Sequence, residues 1–113
     1  MHEVSICEHL LSLLAQEAGR HGVKRIIRLR VEIGRLSCLD PQALHFAFDA
    51  LTPGTIAEAA ELRIDRPPVR ANCRDCAAMV ELNSRFDSCP LCGGTRLELH
   101  SGDEMRLLEM EAA

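Results

Sequence analysis

Apolar residues recur at helical spacing near the start of the chain. Ile6, Leu10, Leu13, Leu14 and Ala18 share one face, with Glu8, Ser12, Gln16 and Glu17 mostly turned away. This predicts a helix over residues 5–18, ended by Gly19 and Gly22, and leaves residues 1–4 as a short strand or free arm. The period then changes. Ile27, Leu29, Val31 and Ile33 alternate with Arg28, Arg30, Glu32 and Gly34, which predicts a strand with one buried face. Asp40-Pro41 reads as an N-cap followed by proline at the first helical position. The helix it opens runs through Leu44, Phe46, Phe48 and Leu51 and ends at Thr52-Pro53-Gly54. Residues 61–66 alternate again, with Leu62 and Ile64 inward, before Pro67-Pro68 stops them, and residues 105–110 form a last strand candidate.

Residues 69–101 show little helical periodicity, and the chain changes character on either side of them. The pattern therefore predicts an α+β fold, a small β-sheet with two helices, carrying an inserted zinc-ribbon-like module. Residues 1–68 plus 102–113 form the body and residues 69–101 the insertion. Composition explains why an insertion of that kind is needed. Of 113 residues only 3% are aromatic, three Phe with no Tyr or Trp, so large anchors for a core are scarce. A chain of this length buries about two thirds of its unfolded surface, and small domains short of core commonly add a covalent or metal staple. Six cysteines are the candidates. The first nine residues hold two acids and no Lys or Arg, unlike a secretory signal, and no apolar run approaches the roughly 20 residues that span a bilayer. The expected compartment is the reducing cytosol, where clustered cysteines bind metal or react instead of forming disulfides.

Cys73-Arg74-Asp75-Cys76 and Cys89-Pro90-Leu91-Cys92 are two C-x2-C pairs twelve residues apart. Each turn presents two sulfurs on one side of a tight loop, and four thiolates suit tetrahedral zinc with no position left open for substrate. An iron–sulfur cluster and a dithiol redox pair are the alternatives. Gly93-Gly94 follows the second pair, where glycine can take positive φ and let backbone N–H groups approach the sulfurs. Ala77-Ala78 follows the first, so only one knuckle has that feature in sequence. Cys7 and Cys38 lie outside the pattern and read as small buried or half-buried residues.

Charge narrows the function further. The net charge is −4, the wrong sign for a protein held mainly by phosphates. Residues 69–101 balance four Arg against four acids, and four thiolates around Zn2+ would add about −2. A ribbon that grips nucleic acid would be basic with exposed aromatics, and this one has only Phe86. No Ser/His/Asp arrangement, phosphate loop or open metal position with a general base is present, so an enzyme is not expected. A zinc-ribbon module contacting RNA or protein remains the alternative.

A second metal signal is at the terminus. In Met1-His2-Glu3 the α-amino group, the deprotonated His2 amide and the imidazole can close adjacent chelate rings around one ion. The Glu3 amide or a nearby carboxylate completes a nitrogen-rich square that suits Ni(II) or Cu(II). Residue 2 is bulky, so the initiator Met is expected to stay.

The Met-His-Glu start, Ser-Ile-Cys at 5–7, Gly34 closing the long strand and two late C-x2-C pairs together resemble one family. So do Asn72-Cys73 and the tail Gly102-Asp103-Glu104-Met105-Arg106-Leu107-Leu108. It is the hydrogenase maturation nickel metallochaperones (HypA/HybF), and the resemblance runs the whole length. It implies nickel bound at His2, with the Met1 amine and Glu3 contributing, and structural zinc on Cys73, Cys76, Cys89 and Cys92. Asp40 and His100 stay unassigned. It also implies a cytoplasmic, non-enzymatic protein that works with a partner GTPase (HypB) to load nickel into the [NiFe] hydrogenase large subunit. Some members also serve urease. No nucleic acid or membrane partner is implied.

Overall fold

A computed structural model describes residues 2–37, 39–100, 102 and 105–113, with His2 described in its backbone alone. The chain forms α1 (His2–His21), β1 (Ile26–Ile33), α2 (Pro41–Leu51), β2 (Glu61–Asp65), β3 (Val69–Cys73), β4 (Met79–Leu82), β5 (Leu97–Leu99) and β6 (Met105–Ala112). The strands make two three-stranded sheets, ordered β2-β1-β6 and β4-β3-β5. The α+β class read from the sequence is the one observed. The chain divides into two compact units: Met1–Val31, Leu39–Ile64 and Leu107–Ala113 form the first, and Glu32–Cys38 with Asp65–Arg106 the second.

In the first unit α1 is longer than its apolar stripe. Cys7, Leu10, Leu14 and Ala18 are its fully buried residues, so Cys7 is core; Cys38 lies outside the described residues. The helix begins at His2, which corrects the expected strand or arm for residues 2–4; Met1 lies outside the described residues. At its other end it passes through Gly19, and Gly22 at φ +65° terminates it. There the Val23 N–H donates to the Ala18 carbonyl at 2.9 Å, the six-to-one bond of a Schellman motif.

Helix α2 starts where Asp40-Pro41 places it, with an Asp40 side-chain oxygen accepting from the Gln42 N–H at 3.0 Å. It packs on α1, and its buried residues are Leu44, Ala47 and Phe48. Phe46 is 78% exposed, because it is two residues from Leu44 and Phe48, about 200° around the helix. Thr52 closes the helix, sending both its N–H and its hydroxyl to the Phe48 carbonyl at 3.1 and 2.8 Å.

Strand β1 departs from clean alternation at its start. Leu29, Val31 and Ile33 are buried as expected, but Ile26 is buried where Ile27, 40% exposed, was expected inside. The Ile26 N–H donates to the Ile56 carbonyl at 2.8 Å, which ties that residue to the loop after α2. Farther along, Arg28, Arg30 and Glu32 pair with Glu111, Glu109 and Arg106 at 3.0, 3.3 and 3.2 Å. These positions step by two along β1 but by two and then three along β6. The two-residue alternation of β6 is thus interrupted between Arg106 and Glu109, where Leu107 and Leu108 are both half-buried.

In the second unit the turn after β1 is tied by backbone groups. Arg66 donates from Nε to the Ile33 carbonyl at 3.1 Å, and from Nη2 to those of Gly34 and Ser37 at 3.0 and 2.8 Å. The Leu36 N–H donates to the Gly102 carbonyl at 2.6 Å. A Cβ on Gly34 would overlap the Gly102 backbone, so this close approach requires glycine. The sheet of this unit carries a small core of Val69, Ala71, Cys73, Val80, Leu82 and Cys89.

Two phenylalanines on one helix give a direct check of this packing. Phe48→Ala is expected to cost about 3–5 kcal/mol in urea unfolding, through lost burial and the cavity left behind. Phe46→Ala is expected to stay within about 0.5 kcal/mol. Equal losses at the two sites would contradict the orientation of α2.

Candidate metal centre

Strand β3 delivers Cys73 into the first knuckle, and the second sits in the loop between β4 and β5. The two turns have the same backbone hydrogen bonds. The Ala77 N–H donates to the Cys73 carbonyl and the Gly93 N–H to the Cys89 carbonyl, each at 2.8 Å. The Cys73 N–H reaches the Ala78 carbonyl at 2.9 Å, and the Cys89 N–H reaches that of Gly94 at 2.8 Å. Both turns need a left-handed residue after the second cysteine: Gly93 sits at φ +75° and Ala77 at φ +63°. The glycine-free knuckle thus adopts the glycine conformation, against a steric cost of about 1–2 kcal/mol for a residue with a Cβ. No residue type signalled this in the sequence, because alanine carries no turn preference of its own.

Backbone N–H groups approach three of the sulfurs, with that of Ala78 on Cys76. Leu91 donates to Cys89 Sγ at 3.4 Å and Gly94 to Cys92 Sγ at 3.3 Å. The four Sγ atoms lie within 4.8 Å of one another. The shortest approaches run between knuckles, Cys73 to Cys92 at 3.6 Å and Cys76 to Cys89 at 3.8 Å. A tetrahedron of sulfurs at the usual zinc–sulfur distance of about 2.3 Å has edges of about 3.8 Å, so the donor set fits a single tetrahedral ion. All five described cysteines are free thiols, and the cross-knuckle approach is a shared-site arrangement, not a disulfide-forming pair within one C-x2-C. Cys73 and Cys89 are buried, Cys76 and Cys92 exposed.

The thiols differ in acidity. The Cys92 N–H, with help from that of Leu91, holds Cys89 down at about 7. The Gly94 N–H pulls Cys92 down, but desolvation and the sulfurs of Cys73, Cys76 and Cys89 outweigh it and push it up to about 12. Four thiols so close cannot all ionise without a cation, so loading a metal releases protons.

Charged side chains brace the first knuckle from outside. Arg96 donates from Nε to Asp75 Oδ1 at 2.7 Å, and Arg74 Nη2 reaches Glu98 Oε2 at 2.8 Å. That Arg74 hydrogen bond holds the Glu98 carboxyl below its ordinary range. The Asp75 carboxylate also lies against Gly94, where a Cβ would overlap Oδ2 and displace that side chain from its place beside Arg96. In the loop after β4, the Asp87 carboxylate accepts from the Asn83 N–H at 2.8 Å, the Ser84 N–H at 3.3 Å and the Ser84 hydroxyl at 3.1 Å. These bonds hold its carboxyl below its ordinary range.

Of the terminal candidates, Met1 and the His2 side chain lie outside what is described, and Glu3 occupies the first turn of α1. The Asp40 N–H donates to Glu3 Oε2 at 3.4 Å, which brings the start of α2 to the start of α1. His9, His21, His45 and His100 are exposed, and the four cysteines are the one cluster of metal-ligating side chains found among the described residues.

Comparison with known proteins agrees over the whole length. The family model described as "Hydrogenase/urease nickel incorporation, metallochaperone, hypA" matches residues 1–112. The chain is 49% identical over 111 residues to hydrogenase maturation factor HypA of Paracoccus denitrificans, covering 98% of each chain. It is 40% identical over 111 residues to hydrogenase maturation factor HybF of Salmonella typhimurium, again covering 98% of each. The solution structure of the Ni metallochaperone HypA from Helicobacter pylori superposes with a TM-score of 0.69 at 28% identity, covering 97% of this chain and 96% of that one.

The shared turn geometry predicts opposite effects of exchanging alanine and glycine. Ala77→Gly is expected to raise stability by about 0.5–1 kcal/mol, the relieved strain less glycine's extra entropy, and Gly93→Ala to lower it by about 1 kcal/mol. Thermal unfolding of the metal-loaded protein measures both. A loss on Ala77→Gly would contradict the left-handed turn.

Proposed function

The chain belongs to the HypA family of hydrogenase and urease nickel-incorporation metallochaperones, and from that premise we propose that it binds Ni(II) at its N-terminus through His2. We further propose that it passes the ion, with a partner GTPase (HypB), to the large subunit of [NiFe] hydrogenase in the reducing cytosol. The observation that carries the proposal is that α1 begins at His2. The first four N–H groups of a helix have no acceptor within it. The His2 and Glu3 amides can therefore lose their protons to nickel without breaking a helical hydrogen bond. With the Met1 amine and the His2 imidazole they make a four-nitrogen square suited to Ni(II).

Helix electrostatics give this site a way to release its cargo. The N-terminal end of α1 carries a positive partial charge, which repels a bare cation but favours deprotonated amides and the Glu3 carboxylate. Reprotonation of the amides or imidazole turns the site repulsive again. Asp40 supports the arrangement through its bond to Glu3, which fixes that carboxylate beside the terminus.

We assign the four-cysteine cluster a resident zinc ion held by Cys73, Cys76, Cys89 and Cys92. Zinc fits because the sulfurs are tetrahedrally spaced and all four positions are filled by protein. When bound, the ion neutralises thiolate charge and cross-links the knuckles; it offers no open position for chemistry. The proposed division of labour keeps nickel on residues 1–68 with 102–113 and zinc on residues 69–101. The arginines of the zinc module also argue against a nucleic-acid ribbon, since Arg74 and Arg96 are spent on Glu98 and Asp75.

His2→Ala is expected to abolish nickel binding by the untagged protein in calorimetric titration, while zinc content and circular dichroism stay unchanged. Stoichiometric nickel uptake by that variant would sink the assignment. Residues added before Met1 are expected to block nickel as well, because they convert the amine to an amide. Nickel affinity is expected to fall as pH drops through the histidine range, since every ligand must be deprotonated to bind. A flat profile between pH 8 and about pH 6 would count against amine, amide and imidazole ligation.

A further inference from the structure

In the first unit, residues 107–112 of β6 carry an apolar face that is left half open. Leu107, Leu108 and Met110 are all half-buried, and no fully buried core residue comes from β6. It lies at the end of the order β2-β1-β6, so one edge pairs with β1 and the other meets no strand among the described residues. A groove of about 690 Å³ flanks it. Leu13 of α1, Val23 of the following turn, and Leu108 and Met110 of β6 supply its apolar lining, with Glu17 and Glu109 among its charged residues. No residue of β1 lines it, which puts the groove on the open side of β6.

We propose that this groove is a docking site for an extended segment of a partner protein, which joins the sheet as a strand beside β6. The open edge supplies unpaired main-chain donors and acceptors, and the groove supplies room for alternate apolar side chains. Charge selects the occupant. Glu109, at the groove's rim, and Glu111 alternate with its apolar residues along β6, and their partners Arg30 and Arg28 lie on β1, on the side away from the open edge. A strand added at that edge therefore meets two carboxylates first, and Lys or Arg at every second position answers them. Glu17 adds a third acid, itself bonded to Arg20 at 2.9 Å, with the His21 imidazole at 3.7 Å. A second copy of this chain fits worse: antiparallel β6–β6 pairing centred on residue 110 sets Glu109 against Glu111 on both sides, and like charges directly opposite are destabilising. The partner segment is thus amphipathic in the strand sense, apolar on one face and basic on the other.

The test uses the full, metal-loaded, 15N-labelled protein and two end-blocked hexapeptides, one alternating valine with lysine and one alternating valine with glutamate. The lysine peptide is expected to cause saturable amide shifts confined to residues 107–112 and the α1 positions Leu13 and Glu17, with slowed hydrogen exchange along β6. The glutamate peptide is expected to bind at least about tenfold more weakly. Leu108→Asp is expected to weaken the lysine peptide by a similar factor. Because that change touches packing, the double variant Glu109→Gln, Glu111→Gln provides an independent reading: it should bring the two peptides to within about threefold of each other. Shifts elsewhere or absent at millimolar peptide, or equal affinity for the two peptides in the parent protein, would overturn the proposal. So would a dimer in sedimentation whose formation protects β6 without any peptide.

Discussion

Convergence of four sulfurs is the constraint on which the second unit depends. The buried apolar residues of its sheet are few and small, Val69, Ala71, Val80 and Leu82 beside the two buried cysteines. A core of that size cannot by itself offset the entropy of ordering two loops. The sulfurs lie 3.6 and 3.8 Å apart across the knuckles, too close for thiolates to coexist without a cation and well placed for one tetrahedral ion. The surrounding features fall into place around that demand: the strained Ala77, Gly94 packed against Asp75, and the Arg96 and Arg74 ion pairs. The exposed pairs contribute little energy singly, and their role is to hold the knuckle backbone where its sulfurs can meet.

The first unit solves a different problem. Its core is built from helix and sheet faces in the ordinary way, with Leu10, Leu14, Ile26, Leu29, Leu44 and Phe48 inside. What it offers chemically is the start of a helix. Unbonded N–H groups and a positive dipole end are ordinarily a cost that caps must offset. Under the proposed function the same groups, once deprotonated, become ligands for a transported ion. On that proposal the resident ion has all four positions filled by protein, and the transported ion sits at a chain end where its ligands can be exchanged one at a time.

How much of this was legible in the chain follows the range of the interactions involved. Asp40-Pro41 placed α2 to the residue because capping is local. The C-x2-C spacing named all four clustered cysteines because a metal knuckle is a short motif. Helix α1 was seen only where its apolar stripe is regular; its first turn, His2 to Val4, is polar or isolated and gave no periodic signal. Ile26 and Ile27 could not be ordered from the pattern, because two adjacent isoleucines satisfy either register and a tertiary bond from Ile26 to Ile56 decides between them. Strands β4 and β5 are only four and three residues long, and β3 buries the small residues Ala71 and Cys73 beside Val69, so its alternation carries little hydrophobic contrast. The broken alternation of β6 and the left-handed Ala77 are backbone features that no residue type at those positions announces.

The division of two metals between two kinds of site is tested most directly by X-ray absorption at both metal edges of the untagged protein loaded with one zinc and one nickel per chain. The expected zinc shell is four sulfurs at about 2.3 Å, and the expected nickel shell holds only nitrogen and oxygen. Sulfur in the nickel shell, or zinc with fewer than four sulfurs, would contradict the separation of a resident structural ion from a transported one.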